Sequence, residues 1–99
     1  MVRHIVLFWL KDNSDEALHA ARDKLLSLAG KIEGLLSVEV GLDALHSERS
    51  CDLCLNMAFD SMASLEAYRT HPAHIPVQRY MHAVRSMSYA ADYPTQGDA

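Results

Sequence analysis

An α+β fold is predicted, an antiparallel four-stranded sheet with its helices on one face, in the ferredoxin-like order β-α-β-β-α-β. Three observations predict it. Segments of period two and segments of helical period follow one another along the chain in that order. The first strand-like run is apolar on both faces. At 99 residues the chain has room for one domain.

Residues 2–10, VRHIVLFWL, are rich in β-branched and aromatic types and predict the first strand. Its faces are Val2, His4, Val6, Phe8, Leu10 and Arg3, Ile5, Leu7, Trp9; both are largely apolar, so both need cover. Lys11-Asp12-Asn13 is a polar loop. Ser14 is then an N-cap, with Asp15 and Glu16 favourable in the first turn. Ala17, Leu18, Ala21, Leu25, Leu28, Ala29 and Ile32 recur at helical spacing and predict a helix to about residue 31, ended by Gly30 or Gly34. Residues 37–43 alternate, with Val38, Val40 and Leu42 on one side, as the second strand; Gly41 inside it predicts a bulge or a close backbone approach.

After a polar connection over 44–50, residues 51–59 form the third strand. Cys51, Leu53, Leu55, Met57 and Phe59 share one face, and Asp52, Cys54, Asn56 and Ala58 the other. Asp60 or Ser61 caps a second helix carrying Met62, Leu65 and Tyr68. Pro72 disfavours helical backbone at His71 and breaks that helix. Residues 75–84 form a further short helix with Pro76 near its first turn. Residues 86–93 are the fourth strand and 94–99 a frayed tail, so a single domain spans 1–93.

Composition excludes several classes. With 49% hydrophobic and 22% charged residues the chain is ordinary for a globular domain, not a disordered one. The longest apolar run, Ile5 to Leu10, is far short of the roughly 20 residues of a membrane helix. A net charge of -4 offers no basic field for nucleic acid or anionic lipid. The N-terminus lacks the layout of a secretory signal, and two unpaired thiols fit a reducing compartment, so a cytoplasmic location is expected. Ile5, Leu7 and Trp9 project away from the helices with nothing left to cover them; a homodimer packed sheet against sheet is the expected solution.

The opening Val-Arg-His-Ile-Val-Leu-Phe, the Gly-Leu-x-Ser-Val-Glu-Val-Gly run at 34–41, the Phe59-Asp60-Ser61 helix start, Ala67-Tyr68-x-x-His71-Pro72-Ala73-His74, and the closing Asp92-Tyr93 together resemble the stress-responsive α/β-barrel (Dabb) family over residues 2–93. The His-Pro-x-His turn after a Tyr is the most specific part. The resemblance implies ferredoxin-like subunits paired into a dimeric α/β barrel. It implies little about activity, since most members have no established reaction. In a plant polyketide cyclase of the family, the second His of the turn acts as the base. That position is His74 here. The matching Tyr is Tyr68, which would orient the substrate or polarise its carbonyl, and the matching first-strand His is His4, lining the same cavity. A further cavity His on strand three has no counterpart; Leu53 stands there.

The residue types support those roles independently. An imidazole titrates near neutrality and can take a proton next to a carbonyl. A phenol can donate to the enolate oxygen that results. Phe8, Leu53 and Met57 are expected as apolar contacts of a small ligand, with His71 beside them, although a residue before proline also serves to fix the turn. Tyr80 and Tyr89 are further candidates for the cavity border. Trp9 is assigned to the dimer interface, and His19, His46 and His82 to the surface. No cofactor is expected. Cys51-Asp-Leu-Cys54 enters a strand, where residues three apart face opposite ways, and no second such pair exists, so neither metal nor redox chemistry is expected. Two readings stay open: a cofactor-free, cyclase- or lyase-like enzyme acting on an apolar keto ligand, and a non-catalytic ligand-binding or stress-related structural module. An open pocket reached by His74 and Tyr68 favours the first; a filled one favours the second.

Overall fold

The computed structural model describes residues 1–96. Its elements are β1 (Val2–Leu10), α1 (Asp15–Leu26), β2 (Leu35–Leu42), β3 (Leu53–Phe59), α2 (Met62–Arg69), α3 (His74–Val84) and β4 (Arg85–Pro94). The sheet order is β2-β3-β1-β4, and every neighbouring pair is antiparallel, which is the ferredoxin-like topology. The core fills the helix side of the sheet. Val2, Val6, Phe8 and Leu10 of β1 meet Leu53, Leu55, Met57 and Phe59 of β3 beneath Leu18, Ala21 and Leu25 of α1 and Leu65 of α2. The helices pack on β1, β2 and β3, whereas β4 is mostly exposed.

The element boundaries show where backbone hydrogen bonds override apolar spacing. α1 ends at Leu26, earlier than its stripe suggests. Beyond Ser27 the amides of Leu28 and Ala29 bond three residues back, and Gly30 turns left-handed at φ +77°. Leu28 and Ile32 stay buried without a helix beneath them. β2 starts at Leu35 because a register irregularity between Leu35 and Ser37 turns Leu36 outward and hides the alternation. Gly41 carries no bulge: it pairs regularly with Cys54 and has open space around it. β3 starts at Leu53, later than expected, because the Asp52 carboxylate accepts from the Leu10 amide at 2.7 Å in place of a strand carbonyl.

β4 follows α3 with no intervening residue. It pairs with β1 in step from Val2 and Pro94 to Trp9 and Met87, after which Leu10 faces Arg85 and Ser86 is an extra residue. The tail expected from 94 begins later. Pro94 closes β4, and the Thr95 amide donates to the Met1 carbonyl at 3.0 Å. Residues 97–99 of that expected tail lie outside the described residues.

Two glycines carry the turn from α1 to β2, and they are not equivalent. Gly30 has open space where a Cβ would stand. Gly34, at φ +83°, lies against α2's N-terminal cap: a Cβ would come 2.2 Å from Ser64 Oγ and 3.0 Å from Asp60 Oδ1. Gly30→Ala is therefore expected to cost about 1 kcal/mol, from left-handed backbone alone. Gly34→Ala is expected to cost about 3 kcal/mol or more by adding overlap with the cap. Urea denaturation of the two variants checks the order.

Candidate functional site

The break between α2 and α3 builds the site. Pro72 has no amide hydrogen and bars helical backbone at His71, so α2 stops with Thr70 as its C-cap. The chain then doubles back over residues 71–73. The His71 amide reaches the Tyr68 carbonyl at 3.1 Å, the His71 carbonyl receives the His74 amide at 2.9 Å, and His71 Nδ1 receives the Ala73 amide at 3.0 Å. His71 is thus spent on the turn. The expectation that it contacts a ligand is corrected, since its ring nitrogen caps the backbone and it is absent from the cavity wall.

That turn lays the His74 ring on the Tyr68 ring, with centroids 4.0 Å apart and planes 24° from parallel. His74 Nδ1 donates to the Tyr68 carbonyl at 3.1 Å. With Nδ1 committed as a donor, Nε2 is the nitrogen left to accept a proton. Partial burial pulls the His74 pKa below its ordinary value, against the opposing pull of the Arg69 and Tyr68 carbonyls. His74 therefore stays neutral, as a base must. Burial drives the Tyr68 phenol far above its ordinary range, and the Asp92 carboxylate adds to the shift. Tyr68 remains a proton-bearing donor. Its ring is wedged against Phe59, centroids 5.2 Å apart.

β1 supplies His4, whose ring meets Tyr68 edge-on at 5.7 Å. Directly across the strand pair, Asp92 of β4 accepts a close hydrogen bond from His4 Nδ1. Asp92 was not assigned a role from sequence. Its position opposite His4 follows from the β1–β4 register, which no local pattern states.

Tyr68, His74, His4 and Asp92 converge on one side of an open cavity of about 840 Å³ between α2, α3 and the exposed inner side of β4. Phe8, Val6, Leu65, Val77 and Met81 supply apolar wall. Phe8 is thus where the sequence placed it. Leu53 and Met57 are not: both are fully enclosed in the core and neither reaches the cavity, because β3 lies under helices and the cavity opens over β4. Leu55 is the β3 residue that does reach it. Tyr80 borders a separate small pocket beside Leu10 and Val84, and Tyr89 stands on the outer face against Trp9. His82, assigned to the surface, is exposed but also edges the cavity.

The cysteines play no part in the site. Cys51 precedes β3, Cys54 lies within it, and both are free. Burial raises both thiols above their ordinary pKa, which disfavours the thiolate. Among the described residues no group of three or more His, Cys, Asp or Glu could hold a metal ion. No helix among them is long and apolar enough to cross a membrane.

Comparison with known proteins comes to the same fold. The family model of the Stress responsive A/B Barrel Domain, Dabb, matches residues 2–95. A dimeric protein of unknown function and ferredoxin-like fold from Bacteroides fragilis superposes with a TM-score of 0.81 at 26% identity, covering 95% of each chain. A Dabb family protein from Mesorhizobium loti gives 0.75 at 25% identity, covering 97% of each. Hydroxynitrile lyase from Passiflora edulis gives 0.84 at 14% identity, covering 99% of this chain and 95% of its own. No curated protein matches the chain.

The geometry fixes how His74 titrates. The unfolded chain takes up the proton near the free imidazole value of about 6.5, the folded chain at a lower one. Stability linked to neutral His74 is therefore complete above about pH 6.5 and is lost as pH falls through the folded value. Two-dimensional imidazole NMR at about pH 7 should show His74 neutral with its proton on Nδ1. His74→Asn should flatten the acid-side decline in chemical-denaturation stability between about pH 7 and 5.

Proposed function

The chain belongs to the stress responsive A/B barrel domain family, and from that premise we propose that it acts as a homodimer whose subunits each bind a small, largely apolar keto ligand and move a proton on it. The observation that carries this reading is the His74–Tyr68 stack at the open cavity. A base with its tautomer set by a backbone carbonyl lies against a phenol that stays protonated.

In the proposed step the ligand carbonyl accepts a hydrogen bond from Tyr68 Oη. His74 Nε2 takes a proton from the carbon next to that carbonyl. The C–H bond breaks, an N–H bond forms, and the freed electron pair moves through the carbon–carbon bond to the oxygen, giving an enolate held by Tyr68. The His4–Asp92 pair borders the same volume and offers a second polar contact. Return of the proton to carbon completes an exchange; attack by the enolate carbon on a second carbonyl of the ligand, with the proton passing from His74 to the new alkoxide oxygen, would complete an aldol closure. The open cavity that His74 and Tyr68 line supports this reading over a non-catalytic module. A lyase on the same fold, from Passiflora edulis, is in keeping with such chemistry without transferring it.

The dimer part of the proposal rests on the outer face of the sheet. Ile5, Leu7 and Trp9 are only partly covered, and Met87, Tyr89 and Tyr93 beside them are 40%, 62% and 43% exposed. A contiguous apolar face of this kind is matched by a second copy of itself about a two-fold axis. The Bacteroides protein is described as dimeric, which supports pairing of two copies. The two free thiols support a cytoplasmic location.

Two measurements test the proposal. Deuterium exchange at the carbons flanking the carbonyl of 2-nonanone, followed by NMR, should be accelerated by the protein. His74→Ala should lower the acceleration by about 100-fold or more, and Tyr68→Phe by about 100-fold. Equal exchange with wild type and His74→Ala would sink the base assignment. Sedimentation equilibrium should give twice the chain mass at micromolar concentration, and Tyr89→Arg should shift it toward the monomer.

A further inference from the structure

The cavity has a second polar end, remote from His4, and its chemistry is different. Arg85 is the first residue of β4. Plain alternation would place it beside Met87 and Tyr89 on the outer face. The extra residue Ser86 instead sets Arg85 opposite Leu10, an inner-face residue, and Arg85 enters the cavity wall near Ser88. The Ser86 hydroxyl holds this bulge by donating to the Trp9 carbonyl at 3.1 Å.

The Arg85 guanidinium is partly buried and donates to Ser88 Oγ at 2.8 Å. Among the described residues no carboxylate pairs with it, whereas the other arginine of the wall, Arg69, is bridged to Glu66 at 3.4 Å. A guanidinium has five N–H donors in a planar fork. One neutral side-chain acceptor leaves most of that fork without a side-chain partner among the described residues, on a residue that lines the cavity. The chain as a whole is acidic, with a net charge of -4, so no general basic surface accounts for this cation.

We propose that Arg85 anchors an anion, and that the ligand of this cavity is an elongated oxo acid or oxo-alkyl phosphate with its oxyanion on Arg85 and its carbonyl between Tyr68 and His74. This rests on the reading of the cavity as a keto-ligand site. A planar fork suits carboxylate and phosphate oxygens alike. Length follows from β4. Ser88 and Asp92 mark the two ends, four residues or about 13 Å apart at about 3.3 Å per residue. Between them Ala90 of β4 and Val6 of β1 face each other across the strands, an apolar stretch for an alkyl chain.

Calorimetric titration with 9-oxodecanoate, its methyl ester and octyl phosphate tests the anchor on wild type, Arg85→Met and Arg85→Lys. Wild type should bind at least one of the two anions about tenfold or more tightly than the neutral ester. Arg85→Met should lose that preference while ester affinity stays unchanged, and Arg85→Lys should keep part of it. Preference for octyl phosphate over the oxo acid assigns the anion as phosphate; the reverse assigns it as carboxylate. Anions and ester bound equally by wild type, or a preference that survives in Arg85→Met, overturns the anchor alone. If Arg85→Met does not fold, the lysine variant decides, since an unaltered preference there removes the case for a bidentate fork. No binding of any probe, together with no His74-dependent exchange of 2-nonanone, overturns the keto-ligand reading beneath it.

Discussion

The hydrogen bond from His74 Nδ1 to the Tyr68 carbonyl is the contact on which the site depends. A helix end leaves its last carbonyls without intrahelical partners. Here Pro72 ends α2 abruptly, and the Tyr68 carbonyl is taken by the His71 amide and by an imidazole six residues on. That one acceptor fixes three things together: the ring's tautomer, its stacking on Tyr68, and the direction in which its basic nitrogen is left free. The same turn commits His71 to backbone capping, so two histidines three residues apart have unlike roles. Burial then separates their partners chemically, keeping the imidazole neutral and the phenol protonated. A base and a hydrogen-bond donor result from a helix that could not continue.

Much of this was legible in the sequence because it is local. Period-two and helical spacing predicted every element, and Pro72 predicted the break. His74 and Tyr68 were picked out by the family resemblance of the Tyr-x-x-His-Pro-x-His run, and the structure stacks them. What the sequence hid is what depends on pairing offset. Asp92 faces His4 only because β1 and β4 run antiparallel in one register, and Arg85 turns inward only because Ser86 is extra. Leu53 and Met57 shared a face with Leu55, but which of the three meets a cavity depends on where the helices end above them. Face can be read from alternation; cover cannot.

The sheet joins two requirements that oppose each other. Its inner side fills a core under α1 yet leaves a cavity open over β4. Its outer side carries Ile5, Leu7, Trp9 and Tyr89 with no helix to shield them. A cavity weakens packing, because wall atoms lose contacts on one side. A second subunit against the outer face would restore buried apolar area to the same strands that line the cavity. Strand β1 thus serves both sides, with alternate residues facing the cavity and the outer face of the sheet.

The absence of any residue between α3 and β4 has a mechanical consequence. A helix joined to a strand through a loop can tilt while the strand stays in register. This one cannot, because Val84 and Arg85 are consecutive and the joint is pinned from the far end of β1: Lys11 donates its amide to the Val84 carbonyl at 2.9 Å and its ammonium to the Ala83 carbonyl at 3.1 Å. Any swing of α3 would strain the edge of the sheet. α2, by contrast, is flanked by the Asp60–Ser61 cap on one side and residues 70–73 on the other. Through the pinned joint, the cavity wall that α3 forms is fixed to the strand that carries Arg85 and Asp92.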